Sequence, residues 1–414
     1  LPPVSIASLT LHERIAELAT IDSDHDGGGL IREVYTADYD RAVAYVSALM
    51  ADAGLQVRLD AAGNLYGAWL GSEPGAPRVL TGSHFDTTLN AGRYDGVLGV
   101  LGAIEAIRGL RARGHVPRRT IEVIGFAGEE PRFGAGCIGS RAMTAAIGRE
   151  DLDGMCDRDG ISIATAMTQR GLDPDRLGEA RIDPATVHAF VELHIEQGAV
   201  LETGGAQIGI VTHIAAPHDL RVGLEGSAMH AGATPMRLRR DALLGAAETA
   251  LELERLALAS ASGTTVATIG VLRVWPSAVN VIPGRVEMDV DVRDSDPQAR
   301  EAVIEALTGK LRELATRRDL ALTIQTLTRD EPAACSPLVV EAVSAACAES
   351  AVSAIEIISG AYHDAMVLGA EVAIGMIFVP SRGGLSHHPD EYTAPEDIDR
   401  GVSVLAGTLT RLAA

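Results

Sequence analysis

Five short stretches of this chain concentrate histidine and carboxylate residues. They are Gly82-Ser83-His84-Phe85-Asp86, Gly92-Arg93-Tyr94-Asp95-Gly96, Ala127-Gly128-Glu129-Glu130-Pro131, Glu192-Leu193-His194-Ile195-Glu196-Gln197-Gly198 and Ser386-His387-His388-Pro389-Asp390-Glu391. Each alone has an ordinary explanation. His-x-Asp is usually a local hydrogen bond, paired glutamates a solvated turn, Asp-Gly a helix cap, and His-His before proline a polar loop. Their joint occurrence, each after an apolar strand pattern or before a helical one, points instead to one shared site. Imidazole plus carboxylate, with no thiolate nearby, suits a hydrolytic zinc, manganese, cobalt or nickel centre better than a structural zinc.

The elements that must position these residues read as an α/β fold. Helical spacing covers Leu11 to Ala19 and Asp38 to Ala53, and a strand pair, Leu55 to Asp60 and Asn64 to Leu70, turns at Ala61-Ala62-Gly63. Strands over Arg78 to Ser83, Thr120 to Phe126 and His188 to His194 are continuously apolar, and a helix carrying Val97, Val100, Leu101, Ile104 and Ile107 follows the first. That order predicts a sheet covered by helices on both faces, with ligands collecting at the carboxyl ends of its strands. From His218 the rhythm becomes strand (Asp219–Glu225), helix (Arg237–Leu258), strand (Thr264–Arg273), strand (Arg285–Arg293), helix (Pro297–Arg317) and strand (Ala321–Leu327). Val286, Met288, Val290 and Val292 alternate with Glu287, Asp289, Asp291 and Arg293, a half-exposed strand. This βαββαβ order predicts a ferredoxin-like unit over 215–329, inserted into a larger domain made of 1–214 and 330–414. The larger fold resumes with helices Pro337–Ser350, Asp364–Leu368 and Pro395–Leu412 and strands Ile355–Ile358 and Ala373–Phe378.

Composition narrows the function. The 414 residues carry 35 basic and 56 acidic side chains, a net charge of −21, which argues against nucleic-acid or anionic-membrane partners. No apolar run approaches the roughly 18–20 residues that span a bilayer, and the start, Leu1 to His12, lacks the basic opening of a secretory signal. Four cysteines without a C-x-x-C pair read as reduced packing thiols in a cytoplasmic protein.

Taken together, the segments resemble the M20 metallopeptidase-like amidohydrolases, in the branch of N-carbamoyl-L-amino-acid hydrolases, allantoate amidohydrolases and ureidoglycolate amidohydrolases. The likeness runs from about Ile15 to the C-terminus. EEPRFGAGCIGSR, AYHDA, GMIFVP and SHHPDEYTAPED look most like ureidoglycolate amidohydrolases, and HAGATPMRLRRDA more like the carbamoylases. HIEQG marks the branch, because ordinary M20 peptidases place an acidic ligand where His194 stands.

This resemblance implies a mixed-sheet catalytic domain with an inserted lid and dimerisation domain, and two divalent metal ions per subunit, zinc first, with manganese, cobalt or nickel as options. Asp95 would bridge the pair, with His84 and His194 on one metal and Glu130 and His387 on the other. His387 is preferred to His388 because the family's ligand follows Ser directly and precedes Glu391 by four positions. Asp86 would accept the second imidazole N–H of His84 and fix its tautomer. Glu129 would be the general base, moving a proton from water to the leaving nitrogen. In the inserted unit, Arg293 would grip a substrate carboxylate with help from Asn280, and His230 would stabilise the oxyanion from the partner subunit of a homodimer. Gln197 and Gly360 would line the substrate pocket, with His363 behind the ligands. The implied reaction is hydrolysis of the linear C–N bond of a ureido (N-carbamoyl) carboxylate, such as ureidoglycolate, allantoate or an N-carbamoyl-L-amino acid, releasing ammonia and carbon dioxide.

Two other readings share the scaffold. A peptidase or aminoacylase acting on N-acyl amino acids or dipeptides is disfavoured by His194 and HIEQG. A non-catalytic binding protein would be expected to lack a ligand or the base, and every position is filled. Separately, Asp22-Ser23-Asp24-His25-Asp26-Gly27 with Glu33 fits the EF-hand expression D-x-D-x-D-G-x5-E. Gly29 at the usual apolar position and a late outgoing helix, near Thr36-Ala37-Asp38, weigh against a calcium loop.

Overall fold

A computed structural model describes residues 9–22 and 28–414, and the chain divides into two compact units. The first comprises Leu1–Thr212, Ala334–Ile357 and His363–Ala414; the second comprises His213–Ala333 and Ile358–Tyr362.

The strands, in chain order, are β1 (Gln56–Leu59), β2 (Leu65–Trp69), β3 (Arg78–His84), β4 (Ile121–Phe126), β5 (Val187–Ile195), β6 (Ile208–Ile214), β7 (Ala216–Glu225), β8 (Val266–Trp275), β9 (Arg285–Asp294), β10 (Ala321–Arg329), β11 (Ala333–Ala334), β12 (Ala354–Ser359) and β13 (Ile374–Val379). The first unit is built on a sheet of order β1-β2-β4-β3-β5-β13-β6-β11, with β12 also on β6. Its centre, β4-β3-β5-β13, is parallel, while β1 on β2, β2 on β4 and β6 on β13 run antiparallel. The sheet is therefore mixed, as the sequence implied for the catalytic part.

The central strands are apolar at nearly every position because both faces are covered: β4 and β13 are buried throughout. Helices Val97–Ala112, Pro337–Glu349 and Pro395–Leu412 pack on one another and across β3, β5 and β13. Helices Ile138–Met143 and Asp364–Leu368 pack together and on the central strands as well. Because β4, β3, β5 and β13 are parallel, the loops after them gather at one edge of the sheet. That edge receives His84 at the end of β3, Glu129-Glu130 after β4, His194 near the end of β5, and the 380–391 loop after β13.

In the second unit the order is β10-β7-β9-β8, antiparallel throughout, with helices Ala242–Leu258 and Pro297–Arg318 packed on it. Val286, Met288, Val290 and Val292 form the buried side of β9, so the period-two pattern marks the core face. Helix Ala242–Leu258 starts five residues later than its spacing suggests. The Asp241 carboxylate accepts the amides of Leu243 and Leu244 and caps the helix there.

The centre of the acidic loop, residues 23–27, lies outside the described residues. At its ends, Asp22 Oδ1 accepts the Ile31 amide, and both oxygens of Glu33 pair with Arg158 at 3.0 Å. The next helix begins only at Ala37. A Glu33 already held by an arginine fork is a poor closing ligand for calcium.

Candidate active site and metal centre

Asp95 is the hub of the site. It lies at the start of helix Val97–Ala112 and is buried. His194 Nε2 is 3.2 Å and His84 Nε2 3.6 Å from its Oδ1; His387 Nε2 is 3.0 Å from its Oδ2 and 3.3 Å from Glu130 Oε1. Donor atoms of His84, Asp95 and His194 all lie within 4.8 Å of one another, as do those of Asp95, Glu130 and His387. The two carboxylate oxygens of Asp95 thus face two different donor groups. His388 takes no part: its Nδ1 accepts the Asp390 amide at 3.1 Å, and its side chain is half exposed.

The imidazoles are prepared as ligands by their second nitrogens. His84 Nδ1 lies 3.1 Å from the Asp86 carbonyl oxygen, and His194 Nδ1 lies 2.9 Å from the Ile195 carbonyl oxygen. A carbonyl can only accept, so each Nδ1 carries a proton, and Nε2 is the nitrogen turned toward Asp95. Here the structure corrects the expected role of Asp86. Its backbone oxygen, not its carboxylate, orients His84; the carboxylate stands 3.7 Å from Nδ1. The Asp86 carboxylate instead accepts the amides of Glu129, at 3.4 Å, and Glu130, at 3.1 Å. It therefore fixes the turn that aims those two side chains. Glu129 Oε2 comes within 3.7 Å of His84 Nε2.

Space around the hub is tight. Gly96 has φ +64°, and a Cβ there would sit 2.4 Å from the His84 ring. Only glycine satisfies both the backbone and the packing.

Two neighbours, Glu391 and Glu192, lie within the five segments but receive no role from the sequence. Glu391, buried to 3% exposure, accepts the amides of Tyr94 (2.7 Å) and Asp95 (3.1 Å) through Oε1, and faces the Ser386 hydroxyl at 3.1 Å through Oε2. Glu192 accepts the Ser83 hydroxyl at 2.6 Å and the Ala365 amide at 3.3 Å. Apart from the Glu391–Ser386 pair, five positions apart, these contacts cross between 109 and 297 positions of chain, which spacing alone cannot find. Gln197, expected in the substrate pocket, directs its Nε2 to Asp95 Oδ2 at 3.0 Å and to Ser386 Oγ at 3.3 Å. His363 is buried with its ring 4.7 Å from that of His194; burial, then His194, holds its pKa well below the usual imidazole range.

The electrostatics favour a cation. Burial works against charge on Asp95, yet hydrogen bonds from His194, His387 and His84 hold its carboxyl well below the usual range. Burial and then Asp95 push Glu130 up to about 7, and burial above all drives Glu129 well upward. His387 rises to about 9 through its bond to Asp95. Crowded, buried carboxylates raise one another's pKa, and a divalent cation relieves that repulsion. Inward-facing imidazole nitrogens, a two-sided carboxylate and an all-nitrogen-and-oxygen donor set fit divalent metal ions.

The remaining expected residues lie in the second unit. His230 is exposed and its Nδ1 accepts the amides of Gly232 and Ala233 at 3.1 Å, so its Nε2 carries the proton. The Asn280 carbonyl accepts the Ala231 amide at 2.9 Å, which puts Asn280 beside His230. Arg293 bonds Asp291 and the Gly360 carbonyl.

Comparison with known proteins gives the family. Residues 77–411 match the model of peptidase family M20/M25/M40. The chain belongs to that family. Within it, the chain is 44% identical over 405 residues to an N-carbamoyl-L-amino acid amidohydrolase of Geobacillus stearothermophilus, covering 97% of this chain and 98% of the relative. It is 41% identical over 416 residues to a ureidoglycolate hydrolase of Arabidopsis thaliana, covering 99% and 87%. A crystal structure of AtUAH in complex with glyoxylate superposes with a TM-score of 0.84 at 41% identity, over 98% of this chain and 99% of that one. The family and branch expected from the motifs are those found, and this M20 member is an amidohydrolase, cleaving an amide-type C–N bond. Members of the family use divalent metals. Among the described residues no helix is long and apolar enough to cross a membrane.

Proposed function

We propose that this M20 enzyme hydrolyses the linear C–N bond of a ureido carboxylate, in the class of ureidoglycolate, allantoate and N-carbamoyl-L-amino acids, using two divalent cations, zinc first. The observation that carries the reading is Asp95, whose two oxygens face His84 and His194 on one side and Glu130 and His387 on the other. Two cations held by these five residues would supply Lewis-acid activation of water and of the ureido carbonyl.

The chain's own residues do the rest. Glu129, with its pKa raised by burial, takes a proton from the attacking water on a carboxylate oxygen and hands it to the leaving nitrogen. Asp86 keeps that carboxylate aimed by anchoring its backbone amide. His230, protonated on Nε2, donates to the oxyanion as the carbonyl carbon becomes tetrahedral. Arg293, with Asn280, takes the substrate carboxylate, and Gln197 and Gly360 line the pocket. Water adds to the ureido carbon and ammonia leaves; the remaining carbamate then loses carbon dioxide and frees the amine.

The second unit serves in this reading as a ferredoxin-like lid and dimerisation domain over 215–329, with His230 reaching the site of the partner subunit. Hinge segments near His213 and Asp330 open and close it. Four unpaired cysteines suit a cytoplasmic, reducing setting.

Dialysis against chelator with metal add-back, on a panel of ureidoglycolate, allantoate, N-carbamoyl amino acids, dipeptides and N-acetyl amino acids, tests the proposal. Metal-dependent ammonia release from a ureido acid is expected. Turnover confined to dipeptides or N-acetyl amino acids would replace it with the peptidase reading. In mixed dimers of His230→Ala and Glu129→Gln chains, partial activity returns if His230 acts in trans; no rescue places it in its own subunit's site.

A further inference from the structure

On β9 of the second unit, Arg293 is held from two directions. Its Nε lies 3.0 Å from each oxygen of Asp291, and its Nη2 lies 2.8 Å from Asp291 Oδ2. Its Nη1 donates to the Gly360 carbonyl at 3.2 Å. A guanidinium offers five N–H groups in a rigid plane. Asp291 occupies the side edge, Nε with Nη2, and Gly360 takes one hydrogen of Nη1. One N–H remains on each terminal nitrogen.

The strand itself builds this arrangement. Asp291 and Arg293 are two residues apart and share the face of β9 opposite Val290 and Val292, which fill the core. Both side chains keep about a third of their surface open, 34% and 31%. On the same sheet Arg221 forks Asp289 in a similar way, but among the described residues no backbone carbonyl meets its terminal nitrogens. The Gly360 clamp makes Arg293 different: its plane is fixed about two axes, not one.

We propose that Asp291 is a positioning residue, which with the Gly360 carbonyl orients Arg293 so that its terminal Nη1–Nη2 edge is left for the carboxylate of the substrate. Asp291 touches no substrate. It acts by holding the fork in the plane that a carboxylate meets with two parallel N–H···O bonds. The inference rests on the proposed role of Arg293 as the carboxylate anchor, and the experiment separates the two.

The test compares KM and kcat of Asp291→Asn and Arg293→Ala, in the metal-loaded enzyme, on an N-carbamoyl amino acid and on its neutral carboxamide analogue. Asparagine sets an NH2 group against the guanidinium hydrogens and breaks the fork. KM for the acid should rise about tenfold, as loss of one charged hydrogen bond allows, with kcat within about twofold. The carboxamide analogue should show no change, a split that general loss of structure does not produce. Metal content and the melting transition of each variant report its folding. Should Asp291→Asn fail to fold, Asp291→Glu carries the test: it keeps the charge but shifts the fork by one methylene, so KM rises by a smaller factor at constant kcat. A KM unchanged in the Asp291 variants but raised by Arg293→Ala overturns the positioning role alone. A KM unchanged in Arg293→Ala overturns the anchor and this inference with it.

Discussion

Replacing Glu391 should weaken cation binding without touching a ligand. Its Oε1 takes the amides of Tyr94 and Asp95, and its Oε2 faces Ser386, whose hydroxyl lies 3.1 Å from Asp95 Oδ2. Glu391→Ala strands two buried amides at about 1–3 kcal/mol each, so about 2–6 kcal/mol of local order is lost around the bridging carboxylate. Outer contacts of this kind typically set metal affinity by about 10–100-fold, and a loss of that size is expected here. Glu391→Gln keeps an oxygen for both amides and offers an NH2 group to the Ser386 oxygen. It trades charged hydrogen bonds for neutral ones, at about 1 kcal/mol, or about fivefold. Competition titration against a chromogenic chelator measures both constants, and melting of the chelated proteins separates affinity from stability. Wild-type affinity in Glu391→Ala would refute the reasoning. Equal losses in the two variants would show that charge, not the amide contacts, is what matters.

Other outcomes follow from the same geometry. Glu129→Gln should lower kcat by at least about 10²–10⁴-fold, as loss of a general base does, while metal content by mass spectrometry stays at the wild-type ratio. Gly96→Ala puts a methyl 2.4 Å from the His84 ring at a left-handed backbone position, and should bind less metal while its far-ultraviolet dichroism stays native. In chelated protein Glu130 holds a proton up to about 7 and His387 up to about 9. Both pKa values are raised above those of the unfolded chain. The folded state therefore binds the extra protons across pH 4.5–7 and pH 6.5–9, and apo stability falls as pH rises through those windows. A melting series from pH 6 to 9 should slope downward without metal and flatten with it. Cation binding at pH 7 should release protons, visible as calorimetric heats that change with buffer ionisation enthalpy. Calcium titration should give the same null signal before and after Asp22→Ala, because Glu33 is held by Arg158.

What the sequence discloses and what it conceals divide along physical lines. The central strands are legible because burial on both faces makes them continuously apolar, and β9 because burial on one face makes it alternate. The five segments that hold His84, Asp95, Glu130, His194 and His387 are legible because imidazoles and carboxylates beside apolar strands are costly without a purpose; the choice of these residues within the segments comes from the family resemblance. The start of helix Ala242–Leu258 is obscured because apolar spacing continues upstream of Asp241, while a single cap decides where the helix begins. Strand β6, antiparallel at the far side of β13, goes unread between two stronger patterns. Glu391 looks like any acidic residue in a polar loop; its partners lie on the other side of the chain, and no local pattern encodes them. Asp86 is legible as important but not in its role, since spacing cannot tell whether a carboxylate or its own backbone oxygen will meet His84.

The placement of β13 between β5 and β6 has a consequence for biosynthesis. During translation the chain up to Ile214 supplies β5 and β6 without the strand that joins them, and that strand is made only after the entire second unit. Until then the flanks of β5 and β6 are open templates, exposed for the seconds that ribosomal elongation requires. The nascent chain thus has reason to engage holding chaperones, and any truncation before residue 374 leaves both flanks unpaired permanently.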